Sequence, residues 1–362
     1  MSRVLVVLKY AAPGSPQDQQ RGPVYGPYFR SAGIDVRYIA RYPMWAMGRR
    51  QSLIRSSEPL SAGLRSAASR RVRGAFDAIN DRRILAAARD ADVVFLVKTD
   101  SLGLVRALRT TTRARLVYDL ADVRHRDRHE AEATKSIVEH VDAITVDNGA
   151  AFEYAGRLGK PVHLFPPLAY VERFDELRHS SRRGRDKRVV LGWMGTPSTA
   201  SNLYQILDAL EELSRTHPAC ELRLLGVPAG HEILGRFEHV RASCRTAYDA
   251  EGMIREVLDM DIGLFPQYDL EHAALHGVTK ALIYMGGGAV AVASPVGEVT
   301  QLIRDGANGV IAADRTEWVR KIGSLVGDPA ARSRVAGAGL RSVRDTNSIE
   351  RCFAQLRGAL DV

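Results

Sequence analysis

The stretch Asp261-Ile262-Gly263-Leu264-Phe265-Pro266, followed by His276-Gly277-Val278-Thr279-Lys280-Ala281-Leu282-Ile283-Tyr284-Met285-Gly286-Gly287-Gly288 and Ala289-Val290-Ala291-Val292-Ala293, decides the fold. Asp261–Phe265 and Ala289–Ala293 are short apolar runs bounded by proline or glycine, the pattern of strands buried on both faces. Between them Lys280–Met285 reads as a helix, and the glycine run leads into the second strand. Strand, helix, strand in this order is the unit of parallel α/β architecture.

Working outward, the same alternation runs through the chain. Before residue 170 the predicted strands are Val4–Leu8, Val36–Ile39, Val93–Val97, Leu116–Leu120, Ala143–Val146 and Val162–Phe165, with helices at Ile84–Ala91, Leu102–Leu108 and Ala150–Leu158. Pro166-Pro167 stops the last strand. The pattern restarts with strands at Val189–Trp193 and Glu221–Leu225 and helices at Asn202–Ser214 and Ala250–Leu258. Two tandem doubly wound units are expected, facing each other across a cleft. In such sheets ligands meet glycine-rich turns and helix N-termini beyond the carboxyl ends of the strands.

The 362 residues are enough for about two domains, and 45% hydrophobic with 26% charged residues is a globular composition that excludes collagen, coiled coil and wholesale disorder. No apolar run approaches the ~18–20 residues that span a bilayer. Cys220, Cys244 and Cys352 are odd in number and widely spaced, which argues against a disulfide framework or a thiolate zinc site and for a reducing cytoplasm.

The net charge of +9 is local. Residues 49–73 hold seven arginines against one acid, Glu58, and residues 178–188 hold six basic residues against Asp186. The first stretch mixes arginine with Leu53, Ile54, Leu60, Leu64 and Val72. It reads either as a solvated helix face or as a surface for anionic lipid head groups. The second reads as a solvated linker. Neither interleaves aromatics with arginine, so nucleic-acid binding is not expected.

Three segments carry chemistry. In Gly192-Trp193-Met194-Gly195-Thr196-Pro197-Ser198-Thr199, Gly195 permits close backbone approach and Ser198 or Thr199 is the expected N-cap; a tight turn and a phosphate site fit equally well. Gly277-Val278-Thr279 presents backbone N–H groups at a helix start, and Lys280 adds a cation suited to a leaving diphosphate, although a first-turn lysine can also be merely solvated. Ser294-Pro295-Val296-Gly297-Glu298-Val299-Thr300 offers another anion-ready turn, and Asp305-Gly306 and Asn308-Gly309 are turn dipeptides. Asp259 and Asp261 flank Met260 and read as a helix-to-strand turn rather than a metal site. No Gly-x-Gly-x-x-Gly follows Val4–Leu8, which disfavours a Rossmann oxidoreductase.

In order and spacing these segments resemble the C-terminal domain of retaining family-4 glycosyltransferases of the GT-B fold. The likeness covers residues 188–311 well. In the first half it rests on Val4–Leu8, Val117-Tyr118-Asp119-Leu120-Ala121-Asp122 and Val141-Asp142-Ala143-Ile144. The resemblance implies a hexosyl-type transferase of glycan or glycoconjugate biosynthesis. Such an enzyme moves a sugar from a nucleoside-diphosphate donor to an acceptor hydroxyl, with retention, no bound metal and no cofactor. It implies an N-terminal acceptor domain over 1–177, a basic linker at 178–188, a donor domain over 189–345 and a C-terminal helix at 346–362 packing back on the first domain. Gly195, Thr196, Gly277, Val278, Thr279, Lys280, Gly297 and Glu298 become donor-binding residues, and Lys280 and His125 the catalytic candidates, His125 having the alternative of a surface histidine. Arg21, Asp122 and His276 are candidates to face the cleft.

Two departures from the family stand out. Its two glutamates are replaced by Leu275 and Ile283, which offer no hydrogen-bond acceptor, and the histidine after the first-domain strand is Ala121. The alternative function is therefore a non-catalytic GT-B partner or regulatory subunit of a transferase. Expected partners are a nucleotide-sugar donor, an acceptor of unassigned identity, and an anionic membrane at the inner face through residues 49–73.

Overall fold

The computed structural model describes residues 1–10, 20–42, 77–121, 128–181, 188–246, 249–269 and 277–362. The chain forms two compact units, one of Met1–Phe165 with Phe353–Val362, the other of Pro166–Cys352.

The first unit is built on six parallel strands: β1 (Arg3–Tyr10), β2 (Asp35–Tyr42), β3 (Val93–Val97), β4 (Arg115–Asp119), β5 (Ala143–Val146) and β6 (Val162–Leu164), in the order β2-β1-β3-β4-β5-β6. Every residue of β3 and β5 is buried, as the all-apolar sequence of β3 and the apolar run of β5, broken only by Thr145, require for strands covered on both faces. Helices α1 (Gly26–Ser31), α2 (Leu102–Thr111), α3 (Arg128–Val138) and α4 (Gly149–Gly156) belong to the crossovers, as does a helix over 77–88. Ser101 and Asn148 cap α2 and α4 by accepting from Leu104 N and Ala151 N.

The second unit repeats the plan with β7 (Val189–Met194), β8 (Cys220–Leu225), β9 (Ala242–Arg245), β10 (Ile262–Phe265), β11 (Val290–Ala293) and β12 (Val310–Ile311), ordered β12-β11-β10-β7-β8-β9, all parallel. Its helices are α5 (Val171–Leu177), α6 (Leu207–Thr216), α7 (Ala250–Leu258), α8 (Thr279–Gly286), α9 (Val299–Leu302), α10 (Arg315–Gly327) and α11 (Pro329–Asn347). One core cluster, including Trp193, Leu203, Leu210, Leu222, Leu264, Val292 and Trp318, fills this unit.

The helix expected at Asn202–Ser214 is two elements, a 3-10 segment Pro197–Ile206 followed by α6. Thr199, Ser201 and Asn202 are weak α-former types, and the Thr199 side chain donates to the Thr196 carbonyl (3.1 Å).

Helix α12 (Ile349–Leu360) begins in the second unit and runs into the first. Where it leaves the second unit, Asn347 accepts from Ala169 N (3.0 Å) and donates to Pro167 O (2.9 Å), and Glu172 accepts from Ile349 N (2.9 Å). The outgoing and returning connections are thereby tied together within the second unit. In the first unit Phe353 packs edge-on against Phe29, with ring centroids 4.9 Å apart, and beside Tyr25 and Tyr28.

Candidate functional site

The motif segments of the second unit converge at the carboxyl ends of β7, β10 and β11, three neighbouring strands. Strand β7 leaves through Gly195-Thr196 into the 3-10 segment. The N-cap is Thr196, not Ser198 or Thr199: Thr196 N donates to Thr199 Oγ1 (3.1 Å), and the two side chains form a capping box. Pro197 occupies the first position of the segment, where its fixed φ and missing N–H are well accommodated. Glycine at 195 is required by the chain itself. A Cβ there would stand 2.3 Å from Trp193 Cη2 and 2.7 Å from Thr199 Oγ1.

Lys280 lies on the first turn of α8, half-buried, with Nζ 5.0 Å from the centroid of Trp193 and 5.9 Å from that of Phe265. Trp193 is near the end of β7 and Phe265 ends β10, so the two strands deliver two aromatic faces to one ammonium. Burial pushes its pKa down to about 8. Among the described residues no carboxylate pairs with it. The helix is entered through Val278, whose side chain provides no cap, so the positive end of α8 and the amine share one place. Gly277 and Thr279 are half-buried, and Val278 is buried.

Tyr284, fully buried on α8, fixes this arrangement. Its ring lies against Gly263 of β10, where a Cβ would approach it to 2.1 Å, and its hydroxyl accepts from Met194 N at 2.8 Å. The helix bearing Lys280 is thus bonded to the strand end bearing Gly195. Ile283, beside it, is 3% exposed. On the other side of α8, a Cβ on Gly286 would stand 2.1 Å from Ala169 O.

The third segment follows β11. Gly297 takes φ +65°, a left-handed conformation suited to glycine, and its carbonyl accepts from Thr300 Oγ1 at 2.9 Å. Glu298 is half-buried at the cap of the four-residue helix α9. Asp261 is not a ligand. Its carboxylate accepts from Val190 N (2.9 Å) and lies 3.7 Å from Arg332. Among the described residues no three His, Cys, Asp or Glu side chains are grouped to hold a metal, and no helix is long and apolar enough to cross a membrane.

In the first unit Arg21 is 3% exposed. Its Nη2 and Nε donate to Asp119 (2.5 and 3.1 Å) and its Nη1 to Phe165 O (2.5 Å), while the guanidinium lies 3.7 Å over the Phe165 ring. Thr145 Oγ1 also donates to Asp119, at 2.8 Å. Burial opposes the charge on Arg21, but the Asp119 carboxylate outweighs it and holds the guanidinium above its ordinary pKa. Lys98, just past β3, takes φ +50°. His125, Asp122 and His276 lie outside the described residues, as do the basic stretch 49–73 and residues 182–187 of the second stretch.

Gly195 and Thr196, and Gly277–Lys280, lie in one unit beside the neighbouring strands β7 and β10. Sequence reasoning missed Tyr284, whose only signal was a bulky polar-tipped ring in a helix otherwise read as apolar.

No protein-family model and no curated protein matches the sequence. Solved structures do resemble it. HepE from Anabaena, in complex with UDP and glucose, superposes with a TM-score of 0.65 at 14% identity, covering 100% of both chains. A glycosyltransferase from Rickettsia africae gives 0.69 at 11% identity over 99% of this chain and 98% of its own. Sucrose-phosphate synthase from Thermosynechococcus elongatus gives 0.65 at 13% over the same shares. With the two six-stranded parallel sheets, these likenesses show that the fold is GT-B.

Proposed function

We propose that the chain is a glycosyltransferase that moves a hexosyl-type sugar from a nucleoside-diphosphate donor to an acceptor hydroxyl, with retention and without a metal. The observation that carries the reading is Lys280. It is a half-buried ammonium with no described carboxylate partner, held by two aromatic faces at an uncapped helix start beside the Gly195-Thr196 turn. A cation with no carboxylate partner among the described residues is available to an anionic ligand, and its attraction grows where water is thinned. As the bond from sugar to diphosphate breaks, negative charge accumulates on the leaving phosphate. Lys280 and the first-turn N–H groups of α8 stabilise that charge without moving. HepE is in complex with UDP in one structure and with UDP-glucose in another, which supports a nucleotide-sugar donor here. The three cysteines are free, which supports a reducing, cytoplasmic setting.

The test is transfer or hydrolysis with a panel of UDP-, GDP- and dTDP-sugars. Lys280→Ala is expected to cut turnover by one to several factors of ten, each about 1.4 kcal/mol. Unchanged turnover at saturating donor would remove Lys280 from the reaction.

Ile283 favours a second reading. At the place where the resemblance puts a carboxylate, this chain has a buried alkyl group that can accept nothing. Donor binding without turnover under any acceptor condition would make the chain a non-catalytic partner of a transferase.

A further inference from the structure

The first and third motif segments of the second unit are linked through a dipeptide that neither contains. Gln267-Tyr268 follows β10 two residues beyond Phe265, whose ring faces Lys280. Gln267 N donates to Ser294 Oγ at 3.1 Å, at the head of the third segment. Gln205 stands near the end of the 3-10 segment that Gly195-Thr196 opens. With its carboxamide oriented to satisfy both groups, Nε2 donates to Gln267 O (2.8 Å) and Oε1 accepts from Tyr268 N (2.9 Å). Tyr268 adds a long bond from its hydroxyl to Ser201 O (3.4 Å). Runs of 3-10 helix beyond three or four residues are uncommon. This one is held at its start by the Thr196–Thr199 box and near its end by Gln205.

We propose that Gln205 is a positioning residue that yokes the 3-10 segment opened by Gly195-Thr196 to the exit of β10, where Phe265 faces Lys280, and so sets the spacing of the Gly195-Thr196 turn and Lys280, the two groups that receive the donor diphosphate. This rests on the donor-site reading above. Gln205 touches no reacting atom in this role. It acts through two backbone groups, one on half-buried Gln267 and one on exposed Tyr268, and its loss leaves both to find water.

The test compares Gln205→Met, which keeps length and volume but pairs with neither backbone group, with Gln205→Ala and the wild type. Hydrogen exchange and UDP affinity by calorimetry are measured on the full chain. Gln205→Met is expected to speed exchange at the Tyr268 amide and the first turn of α8 about tenfold, the scale of one or two net hydrogen bonds, while β8 and α10 keep their protection. UDP binding should weaken about five- to tenfold, and with an active donor the loss should fall on KM more than on kcat. Local exchange that does not change, acceleration spread evenly over the second unit, or undiminished UDP affinity despite faster local exchange would each overturn the proposal. If the wild type binds no nucleoside diphosphate, the donor reading fails by itself. The exchange comparison then still decides whether Gln205 holds the two segments together.

Discussion

Lys280 meets Trp193 as charge to ring, with Nζ 5.0 Å from the indole centroid, not as charge to charge. An ammonium stabilised only in this way is weakly basic, since an aromatic face compensates less of the lost hydration than a carboxylate would. The amine loses its proton near pH 8, within the range where enzymes are assayed.

Affinity for a nucleoside diphosphate is therefore expected to fall as pH rises through about 8. Binding favours the charged amine and should take up a proton above that pH. Lys280→Arg stays charged throughout and should flatten the dependence. Calorimetry in buffers of differing ionisation enthalpy between pH 6.5 and 9.5 counts the proton directly.

Stability should show the opposite face of the same shift. The folded-state pKa of about 8 lies below the ordinary 10.5, so between these values the unfolded chain binds more protons and stability rises with pH. The penalty of burying the charge is fully present below about 8. Lys280→Met should thus stabilise the protein most near pH 7, with the advantage shrinking toward pH 10, as read by urea denaturation at the two pH values.

Arg21 and Asp119 form a pair whose side chains are 4% and 0% exposed. Removing one member strands the other in the interior. Arg21→Met or Asp119→Leu is expected to cost about 3–5 kcal/mol, and the double change Arg21→Met with Asp119→Leu less than the sum of the two single ones. Denaturant unfolding of the single and double variants measures the difference.

Tyr284→Phe keeps the ring against Gly263 but leaves Met194 N without its acceptor. A loss of about 1–3 kcal/mol is expected. Gly263→Ala should be worse tolerated, because the new methyl would enter the space of a fully buried ring. Thermal melts rank the two, and Gly263→Ala melting at or above Tyr284→Phe would contradict the packing account.

Strands were the legible part of the fold because burial on both faces writes itself as unbroken apolar sequence. Two strands escaped that reading. β9, Ala242-Ser243-Cys244-Arg245, is a sheet-edge strand alternating half-buried and exposed residues, and β12 is only Val310-Ile311. At the candidate site, glycine turns and the lysine beside them stand out locally, so Gly195 and Gly277–Lys280 could be picked from the chain. The residues that hold them in register could not. Arg21 finds its carboxylate at Asp119, Tyr284 its donor at Met194 and Gln205 its partners at Gln267-Tyr268. Each of these bonds joins residues remote in sequence, and two of the three use main-chain atoms, which carry no residue-specific signal.

The return of α12 to the first unit has a consequence for synthesis. Pro166–Cys352 is one uninterrupted segment, whereas Met1–Phe165 is completed only by Phe353–Val362. A ribosome therefore delivers all the parts of the second unit before the last part of the first. Tyr25, Tyr28 and Phe29 emerge ahead of the whole second unit and must wait for Phe353 through the translation of everything between them. Of the two units, the one begun earlier is the one that can be finished only later.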